Sequence, residues 1–175
     1  GTTGLPKGCM LSNAYFLQAG HWYAQLDGVC RIYRDRERVI TPLPLHHMNA
    51  MAFSTMVVLV AGGCLIQLDR FHPKTWLQSA TLSRASVAHY LGVMPAMLLS
   101  SPVTDADRLH GIRWGFGAGV DRRHHAVFEN RFGFPLVEAW AMTETGAGAA
   151  RVFRTRSSPR CRTSPPCAPW TASRR

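Results

Sequence analysis

The apolar residues of the first 150 positions alternate between short runs and longer stretches with helical spacing. The short runs are bounded by glycine, proline or polar residues, which is typical of strands. A first strand is predicted in RVITPLPL, where it leaves into a proline-bounded loop, and a last one in FPLVEAWAMTETG, where it runs into a polar loop. Three more are predicted in CLIQL, SVAHYLGV and GIRWGFGAG, the last ending in a glycine-rich turn.

Helices are predicted between these strands. Ser12 or Asn13 is placed to cap a helix that runs to about Gln25. Four further helices are predicted. NAMAFSTMVVLVAGG is a buried helix that starts at Asn49, and HPKTWLQSATLSR is an amphipathic helix with Pro73 in its first turn. PAMLLSS begins another helix, and DRRHHAVFENRF is a helix capped by Asp121. Strands that alternate with helices predict an α/β fold with a largely parallel sheet. Ligands of such sheets bind beyond the carboxyl ends of the strands, so we expect a site at the loops 115–119 and 140–146.

Composition fits one globular domain, since 46% of the 175 residues are hydrophobic. The net charge of +10 makes a nucleic-acid-binding module an alternative hypothesis. Most of that charge comes from the seven arginines of residues 151–175, which contain no acidic residue, so residues 1–150 carry only +3. A basic binding face is normally built into folded elements, and we therefore expect no nucleic-acid partner.

Residues 151–175 differ in composition from everything before them. This stretch is rich in Arg, Ser and Pro and lacks helical or strand periodicity. Its few apolar groups do not offset the entropy of ordering it. We expect residues 1–150 to form one partial domain and residues 151–175 to be a disordered basic tail or the product of a shifted reading frame.

The cysteines and the hydropathy of the sequence bear on where in the cell the protein is located. The five cysteines are scattered and form neither a zinc pattern nor a disulfide framework, so a reducing cytoplasm is expected. No apolar run reaches the length of about 18 residues that a membrane-spanning helix needs.

The opening segment GTTGLPKG has the chemistry of a phosphate-binding loop. Gly1 and Gly4 permit a tight turn that exposes backbone N–H groups, Thr2 and Thr3 add hydroxyls, and Lys7 adds a positive charge. The segment is not a Walker loop, because that motif has Gly before the lysine and Ser or Thr after it. A glycine-rich surface turn is the alternative.

Three segments in order, GTTGLPKG, PLPLHHMN and EAWAMTETG, resemble the adenylate-forming (AMP-binding) superfamily of acyl-CoA synthetases, luciferases and peptide-synthetase adenylation domains. The family patterns are Gly-Thr-Thr-Gly-x-Pro-Lys-Gly, Pro-Leu-Phe-His and Tyr-Gly-x-Thr-Glu. His46 replaces the aromatic of the second, and Trp140 and Ala141 replace Tyr-Gly in the third. GFGAG lies where the family has its adenine loop. The resemblance implies a partial N-terminal domain of an acyl-CoA synthetase-like fold.

The resemblance also implies a function. The family activates a carboxylate with ATP as an acyl-adenylate and passes the acyl group to a thiol, usually coenzyme A, so the partners would be a small-molecule carboxylate, ATP and CoA. The resemblance implies triphosphate binding by Gly1, Thr2, Thr3, Gly4 and Lys7. Trp140 would stack on adenine, and Gly117, Ala118 and Gly119 would lie against adenine and the acyl group. Thr143 would contact the α-phosphate, Glu144 would bind Mg²⁺, and His47 would lie beside the substrate carboxylate. His47, Thr143 and Glu144 would be the catalytic residues.

Other histidines and methionines receive structural interpretations. His124 and His125 are expected to form an exposed helix face, since no nearby cysteine or carboxylate spacing completes a metal site. His46 has no predicted role. The run from Met48 to Met56 is expected to belong to the core, although the family's acyl pocket borders this region.

The family also uses an aspartate in a Thr-Gly-Asp segment and a lysine in a C-terminal domain, and this sequence contains neither. We therefore expect a fragment that does not catalyse the full reaction, with a catalytically dead nucleotide-binding protein as an alternative. The segments GCMLSN and PLPLHHMNAM resemble small-acid CoA ligases of the crotonobetaine/carnitine type most closely.

Overall fold

The computed structural model describes Gly4 and residues 8–152, and of these residues 147–152 are described by their backbone alone. It contains a six-stranded sheet in the order β2-β1-β3-β4-β5-β6. The first five strands of this order are parallel, and β6 pairs antiparallel with β5. The strands are β1 (Arg38–Thr41), β2 (Cys64–Gln67), β3 (Val87–Leu91), β4 (Trp114–Ala118), β5 (Leu136–Met142) and β6 (Gly146–Val152). The predicted α/β fold with a largely parallel sheet is confirmed.

Helices cover both faces of the sheet. They are α1 (Asn13–Ala24), α2 (Met56–Ala61), α3 (Trp76–Leu82), α4 (Val93–Leu99) and α5 (Arg122–Phe132), with short 3₁₀ turns at Gly28–Cys30 and Asp105–Arg108. Each predicted helix is present. The third is shorter than predicted, because Pro73 lies in the turn that precedes α3 rather than in its first helical turn.

The first helix begins where its capping residue places it. The Ser12 backbone is extended, and its hydroxyl oxygen accepts a hydrogen bond from the Tyr15 backbone N–H at 3.3 Å. That bond satisfies one of the N–H groups that a helix leaves open at its amino end. The buried face of α1 carries Ala19, Trp22 and Tyr23.

Replacing Ser12 by alanine is expected to lower the free energy of unfolding by about 1 kcal/mol, because the cap bond is lost. Urea unfolding of the two chains checks this. Asn13→Ala is the matched control: Asn13 is the first exposed residue of α1 and is not the cap, so its replacement should change stability by less than about 0.5 kcal/mol. Equal losses in both variants would contradict the assignment.

Two cores lie on opposite faces of the sheet, and successive strand residues alternate between them. Val39 and Val87 belong to the core beneath α1 and α2, and their neighbours Ile40 and Ala88 belong to the core beneath α3, α4 and α5. This alternation follows from the two-residue period of a strand. A parallel sheet covered on both faces is continuously apolar, which explains the unbroken runs in the sequence.

The segment Asn49–Thr55 is a π-helix that continues directly into α2. The hydroxyl of Ser54 donates to the backbone oxygen of Asn49 at 3.3 Å, and that of Thr55 donates to Ala50 at 2.9 Å. Sequence periodicity correctly predicts a helix that starts at Asn49 and ends at glycine, since Gly62 caps it with a positive φ of 72°. The wider turn is not predictable from periodicity. Such turns recur near functional sites.

The strand β6 is not predicted from the sequence. Its last residues, Arg151 and Val152, extend the ordered pairing beyond residue 150, where the tail was expected to begin. Residues 153–175, the remainder of that predicted tail, lie outside the described residues, and the domain boundary stays a prediction. Within the described part of the chain, no helix is long and apolar enough to cross a membrane. Among the described cysteines, Cys9 and Cys64 are free thiols.

Candidate functional site

A cavity of about 330 Å³ opens at the carboxyl ends of β3, β4 and β5. This is the edge at which parallel sheets bind ligands. Its lining comes from four segments of the chain: His47, Met48, Asn49 and Phe53; Leu91; Phe116, Gly117 and Ala118; and Ala139, Trp140, Ala141, Met142, Thr143 and Glu144. The two loops expected from the sequence to form a site therefore meet the PLPLHHMN segment around one space.

Six of the residues singled out in the sequence line this cavity: His47, Gly117, Ala118, Trp140, Thr143 and Glu144. Gly119 is the next residue after this lining segment and has a positive φ of 84°. Gly4 has a φ of 109°, and no atom of the described residues lies within 4 Å of the position that a Cβ would take there. Gly1, Thr2, Thr3 and Lys7 lie outside the described residues. The structure thus brings the six together, while the roles of all these residues stay predictions.

The loop after β5 presents polar groups to the cavity. Trp140 is 60% exposed, although it lies within a strand, so a flat aromatic face is open to a ligand. After Met142 the chain turns sharply: the backbone N–H and the hydroxyl of Thr145 both bond the Met142 carbonyl, at 3.1 and 3.2 Å. Gly146 then starts β6 with a φ of 76°. This turn places Thr143 and the exposed Glu144 at the cavity mouth.

Glu138 holds the glycine-rich turn after β4. Its carboxylate accepts the backbone N–H of Gly119 at 2.8 Å and that of Val120 at 3.4 Å. The hydroxyl of Tyr90 donates to the same carboxylate at 3.0 Å. Burial, and then the neighbouring Glu138 charge, raise the pKa of the Tyr90 hydroxyl well above its usual range, which keeps it a donor. Sequence analysis missed Glu138, because a lone strand glutamate has no distinguishing signal.

Gly92 brings the loops after β3 and β4 into direct contact. A Cβ atom at this position would lie 1.9 Å from the carbonyl oxygen of Gly119. Gly92 itself has ordinary helical angles (φ −55°, ψ −28°), so the requirement for glycine here is one of space rather than of backbone conformation. The turn beside the cavity is therefore fixed from two sides, by Glu138 and by Gly92.

His47 lies in an exposed turn at the cavity wall. Its backbone N–H donates to the Pro44 carbonyl at 2.9 Å, and its Nδ1 accepts the Asn49 backbone N–H at 3.4 Å. His46 is exposed and does not line the cavity. Met48 lines the cavity rather than the core alone, and its sulfur accepts the hydroxyl of Tyr15 at 3.9 Å.

The expectation of an exposed face for His124 and His125 is wrong for His125, which is only 6% exposed. Its ring lies 3.8 Å from the Glu138 carboxylate, and burial lowers the pKa of the imidazole. The spacing of His125, Phe128 and Phe132 marks the buried face of α5 and could have indicated this from the sequence. His124 is half-buried.

A second histidine that sequence analysis missed, His89, is fully buried in β3. Its Nε2 lies 2.8 Å from the hydroxyl oxygen of Tyr23. Its Nδ1 lies 2.7 Å from Ser54 Oγ and 2.8 Å from Asn49 Oδ1. Burial lowers the pKa of His89 to about 3, so the ring is neutral. This polar network runs through an otherwise aromatic core to the cavity wall.

The donor chemistry fits the magnesium that the resemblance implies. The part of the chain that the structure describes holds no group of three His, Cys, Asp or Glu residues able to enclose a metal by themselves. Glu144, however, offers one exposed carboxylate at the cavity mouth. Mg²⁺ usually keeps several waters and takes one or two carboxylates together with substrate phosphates, so a single carboxylate suffices when a nucleotide supplies the rest.

The model of the family described as AMP-binding enzyme matches residues 1–171 of the chain. Sulfoacetate–CoA ligase of Cupriavidus necator is 31% identical over 153 residues, which cover 85% of this chain and 28% of that protein. Crotonobetaine/carnitine–CoA ligase of Salmonella typhi is 26% identical over 149 residues, with the same two coverages of 85% and 28%. The very long-chain fatty acid transport protein of Cochliobolus heterostrophus is 28% identical over 145 residues, which are 82% of this chain and 22% of that one.

Among solved structures, ATP-bound MatB from Rhodopseudomonas palustris superposes with a TM-score of 0.73 at 25% sequence identity. The superposition covers 91% of this chain and 31% of MatB. The chain thus spans about a quarter of the length of the curated relatives it matches. Crotonobetaine/carnitine–CoA ligases are among those relatives, as the resemblance of the segments GCMLSN and PLPLHHMNAM implies.

Proposed function

Because the chain belongs to the AMP-binding enzyme family, we propose that it is the nucleotide- and acyl-binding part of an ATP-dependent acid–thiol ligase. The observation that carries this proposal is that His47, the 116–118 segment and the 139–144 segment line the same cavity. The segments PLPLHHMN, GFGAG and EAWAMTETG, which are far apart in the chain, face one space there. A surface turn or a solvated loop carboxylate would have no reason to do so.

The nucleotide fits the side of the cavity formed by β4 and β5. Trp140 would stack on adenine through its exposed face, replacing the aromatic ring of the family's tyrosine but not its hydroxyl. Gly117, Ala118 and Gly119 offer a close backbone approach to the ring. Thr143 would donate to the α-phosphate. Thr2, Thr3 and Lys7, with Gly1 and Gly4, would bind the β- and γ-phosphates.

The chemistry proposed is carboxylate activation followed by thiol transfer. A carboxylate oxygen of the substrate attacks the α-phosphorus of ATP, and pyrophosphate leaves, giving an acyl-adenylate. The thiol of coenzyme A then attacks the acyl carbonyl, and AMP leaves. His47 would border the carboxylate, and Thr143 and Lys7 would stabilise the charge that develops on the phosphates. Mg²⁺, when bound by Glu144, supplies further neutralisation of phosphate charge.

The acyl group fits the apolar part of the lining, which consists of Met48, Phe53, Leu91 and Phe116. These side chains offer an apolar surface against which the carbon chain of an acid would pack. Two relatives are named for small acids, sulfoacetate and crotonobetaine or carnitine. We therefore propose a small carboxylate of this kind as the substrate. A cytoplasmic location is proposed separately, from the scattered cysteines.

The 175-residue chain by itself is proposed to bind the nucleotide without completing the reaction. It spans about a quarter of its relatives' length, and the lysine and aspartate that the family uses elsewhere are absent from its sequence. Formation of AMP that depends on both a carboxylate and CoA, by the purified chain, would overturn this part of the proposal.

The test of the proposed function is calorimetric titration of ATP into the chain, with and without MgCl₂. We expect binding that Mg²⁺ strengthens. Glu144→Gln should weaken the Mg²⁺-dependent affinity about tenfold, which corresponds to about 1.4 kcal/mol, and leave binding of AMP unchanged. Asp105→Asn is the control, because Asp105 is an exposed carboxylate in a 3₁₀ turn outside the cavity lining. Identical Mg²⁺ dependence in wild type and Glu144→Gln would contradict the metal role.

A further inference from the structure

The hydrogen bonds around His89 run in a defined direction, which is set by Tyr23, a member of the network that does not line the cavity. Tyr23 is fully buried, and the only hydrogen-bond partner of its hydroxyl among the described residues is His89 Nε2, at 2.8 Å. A buried hydroxyl that donates to no acceptor is costly. Tyr23 therefore donates to Nε2, and Nε2 accepts with its lone pair.

That donation fixes which nitrogen of His89 carries the proton. The ring is neutral, so with Nε2 as acceptor the hydrogen resides on Nδ1. Nδ1–H has two acceptors within reach, Asn49 Oδ1 at 2.8 Å and Ser54 Oγ at 2.7 Å. Ser54 acts as an acceptor here, because its own hydrogen is directed to the backbone oxygen of Asn49 at 3.3 Å.

The protonation of His89 at Nδ1 determines which way the carboxamide of Asn49, a cavity-lining residue, is oriented. Its Oδ1 is occupied by His89, so the amide nitrogen is the part of the carboxamide left to hydrogen-bond, and this nitrogen can only donate. Within the described residues it has no hydrogen-bond partner. Asn49 is half-buried and lines the cavity, among the apolar residues Met48, Phe53 and Phe116.

We propose that Asn49 is a specificity-determining residue that offers an N–H donor to the acyl group, and that His89 and Tyr23 are positioning residues that fix its orientation. The site then selects a small acid that carries a hydrogen-bond acceptor, such as a hydroxyl or carbonyl oxygen, over an apolar acid of equal size. This inference rests on the proposed function and names its substrate class. Without the relay, the carboxamide of Asn49 could rotate and present its oxygen instead.

The first test is independent of any ligand. Long-range proton–nitrogen correlation spectra of the uniformly ¹⁵N-labelled chain report which imidazole nitrogen is protonated. We expect His89 to be neutral with the hydrogen on Nδ1, the less common form in free histidine. A neutral ring protonated on Nε2 would overturn the relay.

The second test compares two stable acyl-adenylate mimics of equal size, the 4-hydroxybutanoyl and pentanoyl sulfamoyl adenosines. The wild-type chain should bind the hydroxylated mimic roughly tenfold more tightly, and Asn49→Leu should abolish this ratio. His89→Leu should also reduce the ratio, and His89→Gln, which keeps a donor, should restore part of it. A structural effect alone would weaken both mimics equally.

The outcomes separate the two proposals. Equal binding of the mimics to wild type, or an unchanged ratio in Asn49→Leu, would overturn the specificity role while leaving the proposed function intact. Failure of a folded wild-type chain to bind either mimic would overturn the proposed function and this inference together. If His89→Leu does not fold, the comparison of wild type with Asn49→Leu still decides the question.

Discussion

Replacing Gly92 by alanine is expected to weaken binding of ATP at least tenfold, on the order of 1.4 kcal/mol. The added Cβ would lie 1.9 Å from the carbonyl oxygen of Gly119 and 2.3 Å from its carbonyl carbon. Neither atom belongs to a flexible side chain, so the backbone of one loop must move. Because residues 117–119 border the cavity on the proposed adenine side, displacement of this turn removes the surface against which the ring would lie.

The same variant should also lose stability, by about 1–3 kcal/mol, since overpacking at a close backbone contact forces strain into the sheet edge. Gly111→Ala is the matched control, because its Cβ would meet only the Ala85 oxygen at an ordinary 3.6 Å. That control should retain ATP affinity. Calorimetric titration and urea unfolding measure both quantities, and unchanged affinity in a folded Gly92→Ala chain would contradict the proposed position of the nucleotide.

Acidification is expected to destabilise the fold strongly through His89. Its pKa is about 3 in the folded chain, lowered by burial, against about 6.5 when unfolded. Between these values the unfolded chain binds more protons, so stability is full above pH 6.5 and falls as the pH decreases towards 3. The slope approaches 1.4 kcal/mol per pH unit, and the loss across the interval is on the order of 4 kcal/mol. Burial lowers the pKa of His110 and His125 as well, which adds to the same trend.

Urea unfolding at a series of pH values from 7 to 4 measures this dependence. His89→Gln should flatten the slope, whatever its effect on stability at neutral pH, because it removes the titrating group. His21→Gln, at an exposed position of α1, should leave the slope as in wild type. Identical slopes for wild type and His89→Gln would show that His89 is not buried as a neutral ring.

The elements that the sequence predicts well are those whose pattern is local. Asp121 caps α5 as expected, and Ser12, one of the two candidates, caps α1. Both side chains accept a backbone N–H of the first turn. The strands of the parallel sheet are buried on both faces, so each appears as an apolar run between turn residues. The location of the site follows from this topology, because loops after parallel strands converge on one edge.

The elements that the sequence does not predict depend on distant partners. The strand β6 (Gly146–Val152) consists mostly of small residues and has no strand periodicity in its sequence. It is a strand because it pairs with β5. His89 and Glu138 are single polar residues inside strands, and their roles arise only when Tyr23, Asn49 and the Gly119 turn are brought to them by the fold. The roles of these two residues depend on tertiary contacts, which the spacing of residues in the sequence does not predict.

Amide hydrogen exchange with and without a stable acyl sulfamoyl adenosine shows whether an acyl-adenylate occupies the cavity at the ends of β3, β4 and β5. We expect slowed exchange in residues 116–120 and 139–146, with no change in the surface groove of similar volume lined by Pro73, Val93, Met97 and Ser101. Protection confined to that groove, or none in either region while the ligand binds, would contradict this placement of the acyl-adenylate.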